Sequence, residues 1–250
     1  MCDYVLESES QVRNACILIL MSAIKTAVAV LVSGNGSTVE AFIESCQNNQ
    51  LIDIEVPLVI CNNPPSKAGV YERINQLNKK YNLGIKIINV STKTHPKGKS
   101  ARGQSDEESK EILRLVKTHG CQLVVLMGYM KVVRGKLLEE FGWKPQYESI
   151  YRARLVNTHP APLPEVIDLF GADASKKVLE LGLEQSKHTV HLVSEGVDKG
   201  PIIAEHPVRI FADDTKDSLF ARVQMVEKAT LPYVLDGFLK KTAGTDLIST

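Results

Sequence analysis

The chain has 250 residues, 44% hydrophobic and 24% charged, with a net charge of +1. Its composition is that of an ordinary soluble globular protein, and its length suits one large α/β domain or two small ones. A charge so near zero gives no electrostatic reason to expect nucleic acid or an anionic membrane as partner.

Residues 1–24 read as an N-terminal extension. The run from Ala15 to Val32 is almost wholly apolar, but Asp3, Glu7 and Glu9 precede it where a signal peptide would carry basic residues. Lys25 divides it into pieces too short to span a bilayer. Met21 is an alternative start. Thr26–Val32 reads as a buried first strand and Ser37–Cys46 as the helix after it. Ile54–Cys61, Ile85–Val90, Gln122–Met127 and Ala153–Asn157 read as further strands. Lys67–Tyr81, Ser105–His119 and Lys131–Phe141 read as the helices between them. Ser105-x-x-Glu108 is a capping-box pattern at one helix start.

After Pro164 the alternation changes. Ala174–Leu181 reads as a short helix. His188–Val193 and Pro201–Ile210 read as two strands joined by the polar loop 194–200, and Lys216–Phe238 as a long closing helix. This order predicts an α/β fold: a doubly wound, mostly parallel sheet with an antiparallel C-terminal extension. One domain is expected over residues 25–240, followed by a short tail. The five cysteines are scattered, with no CxxC pair, so neither a disulfide framework nor a zinc site is signalled. A reducing, cytoplasmic setting is the simpler expectation.

Ser33-Gly34-Asn35-Gly36-Ser37-Thr38 joins the first strand to the first helix. Glycines permit close approach of a ligand, and the free N–H groups of a helix start favour an anion. Ser37 is placed to N-cap that helix, with Glu40 at the capping-box position. A tight βα turn explains the same residues. A dinucleotide fits poorly: Val39 stands where the third glycine of the fingerprint would be, and no acid ends the second strand. A single phosphate fits better.

Asn157-Thr158-His159-Pro160 lies at a strand end, where positions two apart share a face, so Asn157 and His159 can converge on one small group. Pro160, Pro162 and Pro164 stiffen the exit. Asp198, between Gly196 and Gly200, reads either as a turn aspartate or as a partner that raises the pKa of His159. His191 reads as structural, and His188, His206, His95 and His119 as surface or loop residues. No nucleophile motif accompanies the imidazole. An amide, an imidazole and a carboxylate without an attacking group suit a reaction whose nucleophile arrives with a substrate, such as an amine attacking a formyl carbon.

Together these residues resemble the folate-dependent glycinamide ribonucleotide formyltransferases. The matching pieces are Val32–Ser37, Gly128-Tyr129-Met130-Lys131, Asn157–Pro160, Thr189-Val190-His191, Val197–Pro201 and Ala221–Gln224 with Glu227. They occur in family order over residues 26–238. The resemblance implies a Rossmann-like formyltransferase fold and transfer of a formyl group from 10-formyltetrahydrofolate to the amine of glycinamide ribonucleotide, with no metal. It implies Asn157, His159 and Asp198 as catalytic trio, with His159 acting as imidazolium. By the same resemblance Gly36, Ser37 and Thr38 hold the substrate phosphate and Glu227 meets the ribose or glycinamide part. Met130, Lys131, Val133 and Val193 line the folate pocket, beside Asn157 and the 194–198 loop.

The chain departs from the family at three places. Thr38 stands for the usual Asn, and Lys131 for the usual Arg, which has a planar fork that Lys lacks. The segment 165–171 lacks the usual glycine- and histidine-containing loop. The long loop 91–104 is basic, with Lys93, Lys97, Lys99 and Arg102. It reads as a solvated face or, through Arg102, as an extra cation near the phosphate. Rival readings are a related folate-dependent formyltransferase acting on methionyl-tRNA, a formyltetrahydrofolate hydrolase, or a non-catalytic phosphate- or folate-binding protein. The first would carry a C-terminal nucleic-acid-binding domain, which is not expected in residues 239–250. The second would carry an N-terminal regulatory domain, for which residues 1–24 are too few. Neither needs the Ser33–Thr38 loop.

Overall fold

Seven strands form a single sheet in the order β3-β2-β1-β4-β5-β6-β7 in the computed structural model, which describes residues 25–95 and 102–246. The expected extension, the alternative start at Met21, Lys97 and Lys99 lie outside the described residues. The strands are β1 (Thr26–Val32), β2 (Ile54–Cys61), β3 (Lys86–Asn89), β4 (Leu123–Leu126), β5 (Leu155–His159), β6 (Gln185–Leu192) and β7 (Ile202–Arg209). The pairings among β1–β5 are parallel; β6 and β7 add on antiparallel. The helices are α1 (Ser37–Asn48), α2 (Val70–Tyr81), α3 (Asp106–Thr118), α4 (Gly135–Phe141), α5 (Ala172–Glu180) and α6 (Lys216–Asp246).

Alternation along β1 explains the two covered faces. Val28, Val30 and Val32 enter a core with Phe42 and Ile43 of α1, Ile74 of α2, and Leu231 and Leu235 of α6. Ala27, Ala29 and Leu31 enter a second core with Ile112 and Val116 of α3 and Leu137 of α4. A parallel strand buried on both faces reads as a continuous apolar run, as β1 does. The chain winds outward from β1 through β2 to β3, then returns to β4 on the other side of β1. The C-terminal ends of β1 and β4 therefore border a topological switch point, where open α/β sheets bind ligands.

Four local expectations are corrected. The predicted helix Lys67–Tyr81 splits into a 3₁₀ turn, Pro65–Lys67, and α2 beginning at Val70. The helix expected from Lys131 begins at Gly135, because Val132 exchanges backbone hydrogen bonds with Arg102 and Gln104 instead. Strand β5 runs on to His159, because Thr158 and His159 pair with Val190 and Thr189 of β6. Ser37 is not a cap: Gly36 occupies that position in the left-handed conformation (φ 74°) without a side-chain hydrogen bond, and Glu40 pairs with Arg73 of α2.

Candidate active site

A cavity of about 350 Å3 opens at the switch point. Its walls come from the β1–α1 turn, the segment after β4, the end of β5, the β6–β7 loop and one face of α6. The start of α1 lines it through Gly36, Ser37 and Thr38. The N–H groups of its first turn have no intrahelical acceptor, and the helix dipole adds positive potential there. Gly36 allows this geometry in two ways: its φ is 74°, and a Cβ there would lie 2.6 Å from Val70 Cγ2. Thr38 Oγ1 donates to Glu227 Oε2 at 3.2 Å.

Asn157 and His159 project from one face of β5 towards Asp198. Asp198 lies in the β6–β7 loop at φ 53°, its side chain almost wholly buried. Its Oδ2 accepts the Asp168 N–H at 3.0 Å and lies 3.7 Å from His159 Nδ1. Its Oδ1 lies 3.4 Å from Asn157 Nδ2 and 3.5 Å from His191 Nε2. His159 Nε2 donates to the Val166 carbonyl at 2.8 Å, which fixes the tautomer and leaves Nδ1 facing the carboxylate. The 165–171 segment thus holds both members of the His–Asp pair by its backbone. Phe170 and Gly171 of the same segment line the cavity.

Burial works to raise the Asp198 carboxyl pKa, but the neighbouring His191 and His159 rings and the Asp168 N–H outweigh it, and Asp198 sits below the ordinary carboxylate value. His159 moves the other way from the sequence expectation. Burial depresses its pKa, and Asp198 and the Val166 carbonyl only partly offset that.

Two histidines were misjudged from sequence. His191 is part of the site: its Nδ1 donates to the Leu192 carbonyl at 2.9 Å, and Nε2 accepts from Asn157 Nδ2 at 3.0 Å. His188 is fully buried rather than on the surface, 2.7 Å from Thr158 Oγ1. The alternation in β6 would have revealed both, had its register been known: His191 faces Asn157, and His188 faces the opposite side with Val190.

Met130, Val133 and Val193, with the stem of Lys131, also line the cavity as an apolar slot. The Lys131 ammonium is drawn to Glu108 at 2.5 Å; Lys131 is 15% exposed and Glu108 wholly buried. The lysine therefore offers the slot its methylenes. Met130 is half exposed, and its N–H donates to Ser33 Oγ at 2.7 Å. Glu227, on α6, closes the floor; burial raises its pKa, against hydrogen bonds from Thr158 and Thr38. Arg102 is not among the lining residues. Its exposed guanidinium pairs with Asp168 Oδ2 at 3.1 Å.

Residues 26–235 match the family model described as formyl transferase. The chain belongs to the formyl transferase family. It is 32% identical over 213 residues to the phosphoribosylglycinamide formyltransferase of Escherichia coli K12, covering 84% of this chain and 86% of that protein. It is 33% identical over 225 residues to the trifunctional purine biosynthetic protein adenosine-3 of Drosophila melanogaster, covering 90% of this chain but only 15% of that protein. The solved phosphoribosylglycinamide formyltransferase of Bacillus halodurans superposes with a TM-score of 0.70 at 31% identity, over 86% of this chain and 96% of that one. A formyl transferase has to hold a formyl donor and an acceptor amine together, and this cavity is lined by apolar side chains, by the start of α1 and by the buried Asn157, His159 and Asp198.

Proposed function

We propose that this chain transfers the formyl group of 10-formyltetrahydrofolate to the amine of glycinamide ribonucleotide in purine biosynthesis. The observation that carries the reading is Asp198 facing His159 and Asn157 in a cavity that is also lined by a helix start suited to phosphate and an apolar slot suited to a pterin. Among the described residues no cysteine lines the cavity, and the Thr38 and Thr158 hydroxyls donate to Glu227. In this reading the nucleophile is the substrate's own amine. The free, buried thiols of Cys46, Cys61 and Cys121 support a cytoplasmic setting.

In this reading the phosphate sits on Gly36, Ser37 and Thr38, and Glu227 meets the ribose or glycinamide part. Met130, Lys131, Val133 and Val193 enclose the folate. The amine attacks the formyl carbon, and the carbonyl π pair moves onto oxygen. The Asn157 amide donates to that oxyanion, its 3.4 Å contact with Asp198 giving way. His159, protonated at Nδ1 beside Asp198, adds positive charge. The intermediate collapses by cleaving its bond to the folate nitrogen. The amine loses one proton and the folate nitrogen gains one, passed by way of Asp198 and His159.

The test is the absorbance change of 10-formyltetrahydrofolate with enzyme, with and without glycinamide ribonucleotide. Turnover that requires the ribonucleotide is expected. Turnover in its absence would make the chain a hydrolase, and no turnover in either case would make it a binding protein.

A further inference from the structure

The strand end that presents Asn157 and His159 on one face presents Thr158 on the other. There a buried polar chain begins that formyl transfer, as set out above, does not use. Thr158 Oγ1 donates to Glu227 Oε1 at 2.7 Å. The same Oγ1 lies 2.7 Å from Nε2 of His188. His188 Nδ1 is 3.3 Å from Thr230 Oγ1, whose rotatable hydroxyl hydrogen reaches either that nitrogen or the Val226 carbonyl at 2.8 Å. The His188 ring stacks on His206, with centroids 5.7 Å apart and planes at 16°.

A threonine hydroxyl has one hydrogen. If Thr158 gives it to the carboxylate, its second 2.7 Å contact must be a donation into its oxygen. The only donor at that contact is an Nε2–H of His188. We propose that His188 is a positioning residue: its Nε2–H locks the Thr158 hydroxyl hydrogen onto Glu227, which keeps that carboxylate ionised and aimed into the cavity as an acceptor for the hydroxyl or amine groups of the nucleotide. This rests on the proposed function for the identity of the ligand, and on the geometry alone for the link between His188 and Glu227.

The energetics favour such a device. A carboxylate this deeply buried drifts towards its neutral form, which both changes its charge and turns one acceptor oxygen into a donor. Hydroxyl donors on both oxygens oppose that drift, and Thr38 and Thr158 supply them. Thr158 opposes it only while its hydrogen points at Glu227. A neutral donor behind it removes the alternative rotamer. His188 stays neutral across the working range, its pKa pushed down to about 3 by burial and by the neighbouring His206 and His159.

Steady-state kinetics on His188→Phe, His188→Gln and Thr158→Val test the proposal. His188→Phe and Thr158→Val are expected to raise the KM for the ribonucleotide about tenfold, the scale of one hydrogen bond to a charged group. The KM for folate and kcat should stay within about twofold, since Asn157 and His159 lie on the other face. His188→Gln, whose amide can still donate, should restore most of the loss. An unchanged nucleotide KM in Thr158→Val, or a Gln variant as damaged as the Phe variant, overturns the proposal. A second readout needs no substrate. In 15N-histidine spectra His188 should appear as the Nε2–H tautomer at neutral pH, and its shifts should move in Glu227→Gln. An Nδ1–H tautomer overturns the link. Absence of turnover in the unsubstituted enzyme would defeat the proposed function instead, and the spectra would still decide the role of His188.

Discussion

Asp198 has two roles at the residue scale that are separable by chemistry. Its carboxylate is the charge that opposes burial at His159, and its Oδ2 anchors the 165–171 segment through the Asp168 N–H. Asp198→Asn keeps the size and an acceptor oxygen, so the backbone contact survives while the charge is lost. His159 would then feel burial with no carboxylate against it, and its pKa would fall further. The expected outcome is a kcat lower by about 10²–10⁴ with the KM for folate little changed, the range typical of losing a positioned proton-transfer group. Single-turnover measurements with saturating folate check it. A kcat within tenfold of the parent would remove Asp198 from the proton path.

Local cooperation within elements explains which parts of the fold were legible in the sequence. The capping box at Ser105 was legible because all its atoms lie within four residues: Ser105 Oγ accepts the Glu108 N–H at 3.1 Å and Glu108 Oε2 accepts the Ser105 N–H at 2.7 Å. The same spacing at Ser37 and Glu40 misled, because Gly36 took the cap position and Arg73, from a distant helix, took the glutamate. The Asn157–His159 pair was legible because strand alternation is a local rule. His188 and His191 were not, since which face each occupies depends on the pairing of β6 with β5 and β7. Ser105→Ala tests the local device. It should cost about 1 kcal/mol, the usual worth of a side-chain N-cap, and lower the urea midpoint without changing its slope. Because Glu108 also holds Lys131, the variant should weaken folate binding more than nucleotide binding. Equal effects on both ligands would separate the cap from the slot.

The same arrangement that builds the site makes the whole molecule sensitive to acid. The unfolded chain protonates His188 near the ordinary histidine value of 6.5, whereas the native state resists until about pH 3. Between those values the unfolded state binds the extra proton, so stability falls as pH falls. The full shift corresponds to a penalty on the order of 5 kcal/mol by linkage. His159, also depressed by burial, adds to the loss in the same direction. Glu227 works oppositely: its raised pKa means that the native state takes up a proton before the unfolded chain does, so acidification relieves it and offsets part of the loss. Asp198, depressed below the usual 3.8, contributes a further loss only at the acid end, as its folded form is finally protonated. Urea unfolding at pH 7 and pH 4.5 should therefore show a marked fall in midpoint. His188→Phe removes one of these titrations, so its midpoint should fall less over the same interval even if the variant is less stable at pH 7. Parallel falls in the two proteins would mean that His188 accepts its proton in the native state, and that the chain of hydrogen bonds from Thr230 to Glu227 opens as readily as the surface does.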